Sequence, residues 1–295
     1  MVYEHFPVLV EEVLEFLQPH PDGIYVDGTL GGAGHALKIL ERSSPTGRLI
    51  GIDRDREAIE EARKRLEPYE GRTTIIHGNF SDLREILREL NIGDVDAILL
   101  DLGVSYQQLM DAKRGFSFQS EGPLDMRMDQ TGGEPASKLI NTRSQGELEE
   151  ILRRYGEGRW ARRIAKAIVR HRQKIPIATT KQLRDIISSA VRKPPRRIHP
   201  ATKAFQAIRI AVNDELNNLV KVIRDGIPLV KSRGHLCIVS FHSLEDRIVK
   251  ETFRQFEKSP ELITIITRKP ISPSKREIAE NPRARSAKLR VAERV

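Results

Sequence analysis

A loop near the N-terminus combines glycines with a carboxylate and a histidine. The stretch Asp27-Gly-Thr-Leu-Gly-Gly-Ala-Gly-His35 follows an apolar run and precedes a helical pattern. Glycines in such a loop allow a sharp turn and a close approach of the backbone to a ligand, because no Cβ intervenes. Asp53 ends the next apolar run, where an acidic side chain can accept hydrogen bonds from ribose hydroxyls. Together these features predict a site for an adenosine-containing cofactor.

The carboxylate that opens this loop discriminates between cofactors. A dinucleotide site places a pyrophosphate against the helix N-terminus, and the negative charge of Asp27 would repel it. The same charge would attract the ammonium and sulfonium groups of S-adenosylmethionine. We therefore favour a methyltransferase. A nicotinamide-dependent dehydrogenase is the alternative of another reaction class, and a mere tight turn is the structural alternative.

Strand and helix signals alternate through the first hundred residues. Strands are predicted at Ile24–Val26, Leu49–Ile52, Thr73–Ile76 and Ala97–Leu100, and helices at Ala36–Arg42, Arg56–Leu66 and from an N-cap at Ser81 to about Leu90. Strands separated by helices of this length are typical of βαβ units. The fold class is therefore α/β, with a doubly wound parallel sheet.

The alternation stops after the fourth strand and resumes near the C-terminus. The intervening residues show helical periodicity, including a helix capped by Thr180 and a long helix over Ala204–Asp225. Predicted further on are a fifth strand at Leu236–Ser240, a helix at Ser243–Lys258 with a Ser243–Asp246 capping box, and closing strands at Leu262–Thr267 and Lys288–Ala292. We expect a catalytic domain of residues 1–105 and 202–295, interrupted by a helical insertion of residues 106–201.

Positive charge is concentrated rather than spread. The 295 residues carry a net charge of +9. A stripe of Arg159, Arg163, Lys166 and Arg170 lies on one face of a predicted helix, and the loop Arg192–Arg197 adds further cations. Clustered charge of this kind is typical of proteins that bind a phosphate backbone. The insertion is therefore the expected RNA-recognition domain, and a merely solubilising surface is the alternative.

The composition of the chain indicates its cellular compartment and argues against a metal site. No apolar run is long enough to span a membrane, and the N-terminus lacks the pattern of a secretory signal. The only cysteine, Cys237, lies in an apolar run, which predicts burial in a strand. No histidine, cysteine or carboxylate cluster has the spacing of metal ligands. We expect a cytoplasmic protein without a metal.

The order of several motifs resembles the bacterial MraW/RsmH family of 16S rRNA cytosine-N(4) methyltransferases over essentially the whole chain. The matching stretches are residues 27–35, 52–55, 98–105, 114–118, 123–129, 205–209, 240–247 and 280–286. The resemblance implies a class I (Rossmann-like) methyltransferase fold with a helical insertion, and S-adenosylmethionine as the cofactor. It implies 16S rRNA, naked or in an assembled small subunit, as the partner.

The resemblance also implies which residues line the cofactor. These are Ala33, Gly34, His35, Asp53, Phe80, Asp101 and Gln108, and we add Gly32 of the same loop. Asp53 would hold the ribose, and Phe80 could lie against the adenine. Gln108 could supply amide hydrogen bonds. Taken alone, Phe80 reads as a core residue and His35 as a helix-start residue.

The residues that hold the target base are less defined. Many amino-methyltransferases have an acid followed by Pro-Pro-aromatic after the fourth strand, whereas this chain has Asp101-Leu-Gly-Val104. The acid remains, so Asp101 and His242 are the predicted catalytic residues. Second-rank candidates for the base pocket are Ser240, Asp125 and Arg127, with loop hydrogen bonding as the alternative for each. A DNA amino-methyltransferase and a non-catalytic RNA-binding factor are the remaining alternative functions.

Overall fold

The computed structural model describes residues 7–156, 158–191, 199–258 and 262–295. The chain divides into two compact units. The first comprises Met1–Gly103 and Leu216–Val295, and the second comprises Val104–Glu215. None of the helices in the described ranges is long and apolar enough to cross a membrane. Residues 192–197, predicted from the sequence to form a charged loop, lie outside the described residues.

The first unit contains a seven-stranded sheet. Its strands are β1 (Ile24–Asp27), β2 (Arg48–Asp53), β3 (Thr73–His77), β4 (Val95–Asp101), β5 (Val230–Ser240), β6 (Ile263–Ile265) and β7 (Lys288–Arg294). The strand order is β3-β2-β1-β4-β5-β7-β6. Strands β1 to β5 pair in parallel, and β7 is antiparallel to β5 and β6. The predicted α/β class with a class I methyltransferase sheet is confirmed.

Thirteen α-helices complete the described chain. They are α1 (Val10–Leu17), α2 (Gly34–Arg42), α3 (Arg56–Arg65), α4 (Leu83–Glu89), α5 (Tyr106–Met110), α6 (Ala136–Thr142), α7 (Gln145–Tyr155), α8 (Ala161–Arg172), α9 (Thr180–Ala190), α10 (Ala201–Asn213), α11 (Glu215–Gly226), α12 (Ser243–Lys258) and α13 (Lys275–Glu280). Helix α1 was not predicted from the sequence. Helices α5 to α10 belong to the second unit.

Both faces of the sheet are covered, which explains its apolar strands. In β4, Ala97 and Leu99 join the core on one face, with α1, α2 and α3. Ile98 and Leu100 join the core on the other face, with α4, α11 and α12. Parallel strands buried on both sides read as continuous apolar runs, as here. Cys237 in β5 is fully buried, as predicted, and burial raises the pKa of its thiol.

Three predicted helix caps are wrong, because other residues occupy the cap positions. Ser81 lies inside a 3-10 turn, and the Asn79 side chain accepts a hydrogen bond from its backbone N–H. Helix α9 is capped by Thr179 rather than Thr180, in a capping box with Gln182. Helix α12 is capped by His242, as described below, rather than by the predicted Ser243–Asp246 box.

The second unit is helical in its described part, with a single isolated bridge between Pro123 and Thr179. Its core is built from apolar residues of α6 to α10. The predicted long helix over Ala204–Asp225 is wrong. Asp214 has a left-handed backbone (φ 49°) that ends α10, and α11 begins at Glu215. The second unit runs to Glu215, the first residue of α11.

Candidate active site

Parallel pairing brings three acidic residues to one edge of the sheet. Asp27, Asp53 and Asp101 are the last residues of β1, β2 and β4, and β1 lies between the other two strands. The carboxyl edge of a parallel sheet, beside its central strands, is where such folds bind ligands. Sequence reasoning singled out all three residues, and the structure places them on adjacent strands.

The loop after β1 passes close to its neighbours, and glycine is required in it. A Cβ on Gly28 would lie 2.6 Å from Cδ2 of Leu100, so a side chain there would clash with the end of β4. Gly31 has a φ of 50°, a conformation that disfavours other residues. Ala33 adopts a similar left-handed backbone and caps α2. The glycines therefore allow the loop to pack closely against the edge of the sheet.

Asp27 is almost completely buried beneath this loop. One of its carboxylate oxygens accepts hydrogen bonds from the backbone N–H of Thr29 at 3.1 Å and from the Thr29 hydroxyl at 3.4 Å. The same hydroxyl accepts a hydrogen bond from the backbone N–H of Asp101 at 2.6 Å. Burial, together with nearby Asp53, raises the pKa of Asp27 to about 7. Thr29 thus links two of the strand ends.

Asp53 holds the loop to the end of β2. Its two carboxylate oxygens accept hydrogen bonds from the backbone N–H groups of Gly31 and Asp55, each at 2.8 Å. Burial raises the pKa of Asp53 to about 6. A carboxylate oxygen can accept more than one hydrogen bond, so the Asp53 carboxylate keeps acceptor capacity for a ligand hydroxyl. The ribose role stays a prediction.

Asp101 lies next to His35. The His35 ring contacts the backbone oxygen of Val8 through Nε2 at 2.9 Å, and its Nδ1 lies 3.6 Å from one carboxylate oxygen of Asp101. The other oxygen of Asp101 is enclosed and has no hydrogen-bond partner among the described residues. Burial raises the pKa of Asp101 well above its usual range, and the charges of Asp27 and Glu245 add to this effect.

These observations fit a cationic ligand. Several carboxyl groups converge on one sheet edge, and ionising them without a counterion is costly in a buried setting. A sulfonium and an ammonium group would offset that cost, whereas a pyrophosphate would increase it. The residues present therefore fit S-adenosylmethionine.

The other loop candidates lie at the same edge. Phe80 is partly buried, and its Cβ would lie 3.2 Å from a Cβ on Gly28. A Cβ on Gly32 would meet open space, while one on Gly34 would lie about 3 Å from Pro7. Gly34 thus lets the segment before α1 pack against the start of α2. Cofactor contacts by Gly32, Ala33, Gly34, His35 and Phe80 stay predictions.

His242 caps α12 through a capping box with Glu245. The Glu245 carboxylate accepts hydrogen bonds from the backbone N–H groups of Phe241 (2.8 Å) and His242 (3.3 Å). In return, Nδ1 of His242 accepts one from the Glu245 backbone N–H. Nε2 lies 3.1 Å from the Glu245 carboxylate, in a direction that makes no hydrogen bond. This arrangement gives His242 a structural role, and its catalytic role stays a prediction.

Glu245 is the residue that sequence reasoning missed. It is 2% exposed, it fixes the turn after β5, and it acts electrostatically on Asp101. The available signal was an acid at capping-box spacing from a residue at a strand end. Ser240, the last residue of β5, is buried, and its hydroxyl donates to the backbone oxygen of Lys288 at 3.4 Å.

Three candidates belong to the second unit. The Gln108 side chain completes a capping box at α5 by accepting from the Ser105 backbone N–H at 3.0 Å. Arg127 donates two side-chain hydrogen bonds to Asp125, at 2.9 and 2.8 Å, and these bonds help to lower the pKa of Asp125. All three residues therefore make local structural bonds. Their predicted ligand contacts stay predictions.

The chain matches known proteins over its full length. Residues 2–295 match the model of the MraW methylase family. A protein called ribosomal RNA small subunit methyltransferase H from Geotalea uraniireducens is 50% identical, covering 99% of both chains. One of the same name from Syntrophotalea carbinolica is 50% identical and covers 100% of this chain and 99% of its own. A solved structure described as a putative rRNA-methylase from Clostridium thermocellum aligns with a TM-score of 0.49 at 9% sequence identity. The alignment covers 99% of this chain and 98% of that chain.

This match decides between the reaction classes. A methylase requires a methyl donor rather than a hydride carrier, so the nicotinamide alternative is wrong. The resemblance drawn from the sequence motifs is confirmed. The chain belongs to the MraW methylase family, and its cofactor is S-adenosylmethionine.

Proposed function

We propose that this enzyme methylates the exocyclic amine of a cytidine in small-subunit ribosomal RNA. The relatives named above support the RNA substrate. The observation that carries the chemistry is the position of Asp101, which ends β4 at the carboxyl edge of the sheet and keeps its side chain 17% exposed. The exposed part of its carboxyl group can accept a hydrogen bond from an amine N–H.

The target amine is a poor nucleophile because its lone pair is delocalised into the ring. Asp101 would accept a hydrogen bond from it, favour tetrahedral geometry at nitrogen and withdraw the proton that the nitrogen loses. When bound, S-adenosylmethionine supplies an electrophilic methyl group on a sulfonium. The methyl group would pass from sulfur to the amine nitrogen, and the electrons of the broken bond would stay on sulfur. Asp101 or solvent would take up the proton that the nitrogen releases.

The raised pKa of Asp101 suits this role. Burial and the charges of Asp27 and Glu245 raise the pKa of Asp101 and so favour its protonated form. A cation placed beside it would favour the ionised form, since an opposite charge lowers the pKa of a carboxyl. Binding of the sulfonium would thus prepare Asp101 as an acceptor. Asp27 would stay with Thr29, and Asp53 would bind the ribose.

Carbon methylation is the competing product. Attack through a ring carbon normally requires a cysteine nucleophile, and the only cysteine, Cys237, is fully buried in β5. This favours the amine over the ring carbon. Ribose methylation is the remaining outcome.

We also place the enzyme in the cytoplasm, where ribosomal RNA is made and assembled in bacteria.

The test is methyl transfer from labelled S-adenosylmethionine to small-subunit RNA and to assembled subunits, followed by digestion to nucleosides and mass analysis. We expect cytidine methylated on its exocyclic amine. A label on carbon 5 of the base or on ribose would refute the proposed chemistry. A DNA duplex of matched sequence serves as the control, and preferential labelling of DNA would favour a DNA amino-methyltransferase.

A further inference from the structure

Helix α8 presents a basic surface that the proposed chemistry does not use. Its residues, Ala161–Arg172, include four arginines and one lysine and no acidic residue. Arg163, Lys166 and Arg170 lie on one face, which Arg159 extends just before the helix, and all four are exposed. We call these four residues the α8 basic face.

The cations of this face have no acidic partner among the described residues, whereas two arginines in or just before the neighbouring helix α7 are paired with acids. At α7, Arg143 pairs with Glu147 at 3.3 Å, and Arg153 pairs with Glu149. Pairs of this kind spread both signs of charge over an ordinary soluble surface. The α8 basic face instead leaves its charge available to an external anion.

Trp160 orients two of these cations. The guanidinium carbons of Arg159 and Arg163 lie 5.0 and 5.1 Å from the centre of its indole ring. The ring is 9% exposed and belongs to the core of the second unit. Stacking on a fixed ring reduces the conformational freedom of each guanidinium while its N–H groups remain able to grip phosphate oxygens.

Stability of the fold does not explain this arrangement. The amino end of an α-helix carries partial positive charge and favours acidic residues. Helix α8 has no acidic residue in its first turn, and it has Arg162 and Arg163 there instead. Positive side chains at this end weaken the helix, so their presence points to a bound anion that removes the repulsion.

The geometry favours a phosphate backbone over bases. Between Arg163 and Arg170 the helix rises about 10 Å, enough to meet roughly two or three successive phosphates. The aromatic ring of this surface, Trp160, lies under arginines and is not open for base stacking. We propose that the α8 basic face binds the sugar-phosphate backbone of a folded segment of the substrate RNA, independently of sequence. The inference rests on the proposed function, since it takes RNA as the substrate.

Trp160 makes the proposal directly measurable, because it is the only tryptophan of the chain. Titration of the full-length protein with small-subunit RNA should change the intrinsic fluorescence, since phosphates approach the guanidiniums that cover the indole. Single-stranded polyuridine of the same length should produce a smaller change. An unchanged tryptophan signal under conditions where RNA binding is detected independently would overturn the assignment.

Two variants that each lose three positive charges measure how strongly the α8 basic face contacts phosphates. The variant Arg163→Gln/Lys166→Gln/Arg170→Gln should lower the slope of log affinity against log salt by about three, one per lost phosphate contact. At about 0.1 M salt its RNA affinity should fall on the order of a hundredfold. The control Arg143→Gln/Arg153→Gln/Arg154→Gln removes the same charge from the region of α7 and should leave the slope nearly unchanged. Equal slopes for the two variants would refute a specific role for α8.

The two proposals fail in different ways. If the wild-type protein methylates RNA and the α8 variant keeps its salt slope, the surface assignment is wrong and the chemistry stands. If no RNA is methylated, the proposed function is wrong. Vesicles rich in phosphatidylglycerol that compete with RNA and quench Trp160 equally would assign the face to membranes and overturn the proposal.

Discussion

The acidic sheet edge and the α8 basic face handle charge in opposite ways. At the sheet edge, the carboxyl groups of Asp27 and Asp53 accept hydrogen bonds from backbone amides, and burial raises their pKa values to about 7 and about 6. On the α8 basic face, the cations are exposed and share no ion pair with a described acid. Buried charge depends on its immediate partners, whereas exposed charge acts over a distance and is screened by salt. Substitutions in the first region should therefore alter cofactor binding and turnover, and those in the second should alter RNA affinity.

The largest effect is expected at Asp101. Replacing its carboxylate in Asp101→Asn removes the proton acceptor while keeping the shape of the side chain. We expect turnover to fall on the order of ten- to a thousandfold, as when one transition-state hydrogen bond is lost. Single-turnover rates at saturating S-adenosylmethionine measure this. Full recovery of the rate at saturation would mean that Asp101 only binds the cofactor.

A smaller effect is expected at Asp53. Asp53→Ala should weaken S-adenosylmethionine binding by about 1.5–3 kcal/mol, the range for a lost hydrogen bond to a charged group. Part of this loss would arise from the freed backbone amides of Gly31 and Asp55. Calorimetry gives the affinity, and Glu67→Ala, an exposed acid on the same unit, is the control. An unchanged affinity would exclude the ribose role.

The raised pKa values predict how cofactor affinity depends on pH. A cation lowers the pKa of a neighbouring carboxyl, so binding releases protons and tightens as pH rises through the pKa of the free site. Between about pH 5 and pH 8, affinity for S-adenosylmethionine should rise several-fold more than affinity for S-adenosylhomocysteine, whose sulfur is neutral. The carboxyl groups expected to release these protons are those of Asp27, Asp53 and Asp101. Parallel pH profiles for the two ligands would contradict this electrostatic account.

The sequence predicted the sheet better than the helix ends, for physical reasons. Strands buried on both faces are continuous apolar runs, and the acids at their ends follow from the topology. A helix cap depends on which of two adjacent polar side chains reaches a backbone amide. The sequence predicts Thr180 as the cap, whereas the structure uses Thr179. Asp214, with its left-handed backbone, broke a helix whose apolar spacing was uninterrupted. The sequence does not indicate a role for Glu245 at the site, because its electrostatic effect on Asp101 depends on the folded structure.

The smallest effect should be that of the α8 basic face on stability. Exposed substitutions away from structural pairs change the free energy of unfolding by roughly 0.5 kcal/mol or less. In Arg163→Gln/Lys166→Gln/Arg170→Gln, loss of the Arg163 contact with Trp160 opposes relief of positive charge in the first turn of α8. We therefore expect urea unfolding of this variant to match that of the wild type, with added RNA stabilising the wild type more strongly. A large loss of stability without RNA would mean that these cations hold the second unit together. In that case, weaker RNA binding by the variant would reflect partial unfolding of the unit rather than loss of phosphate contacts.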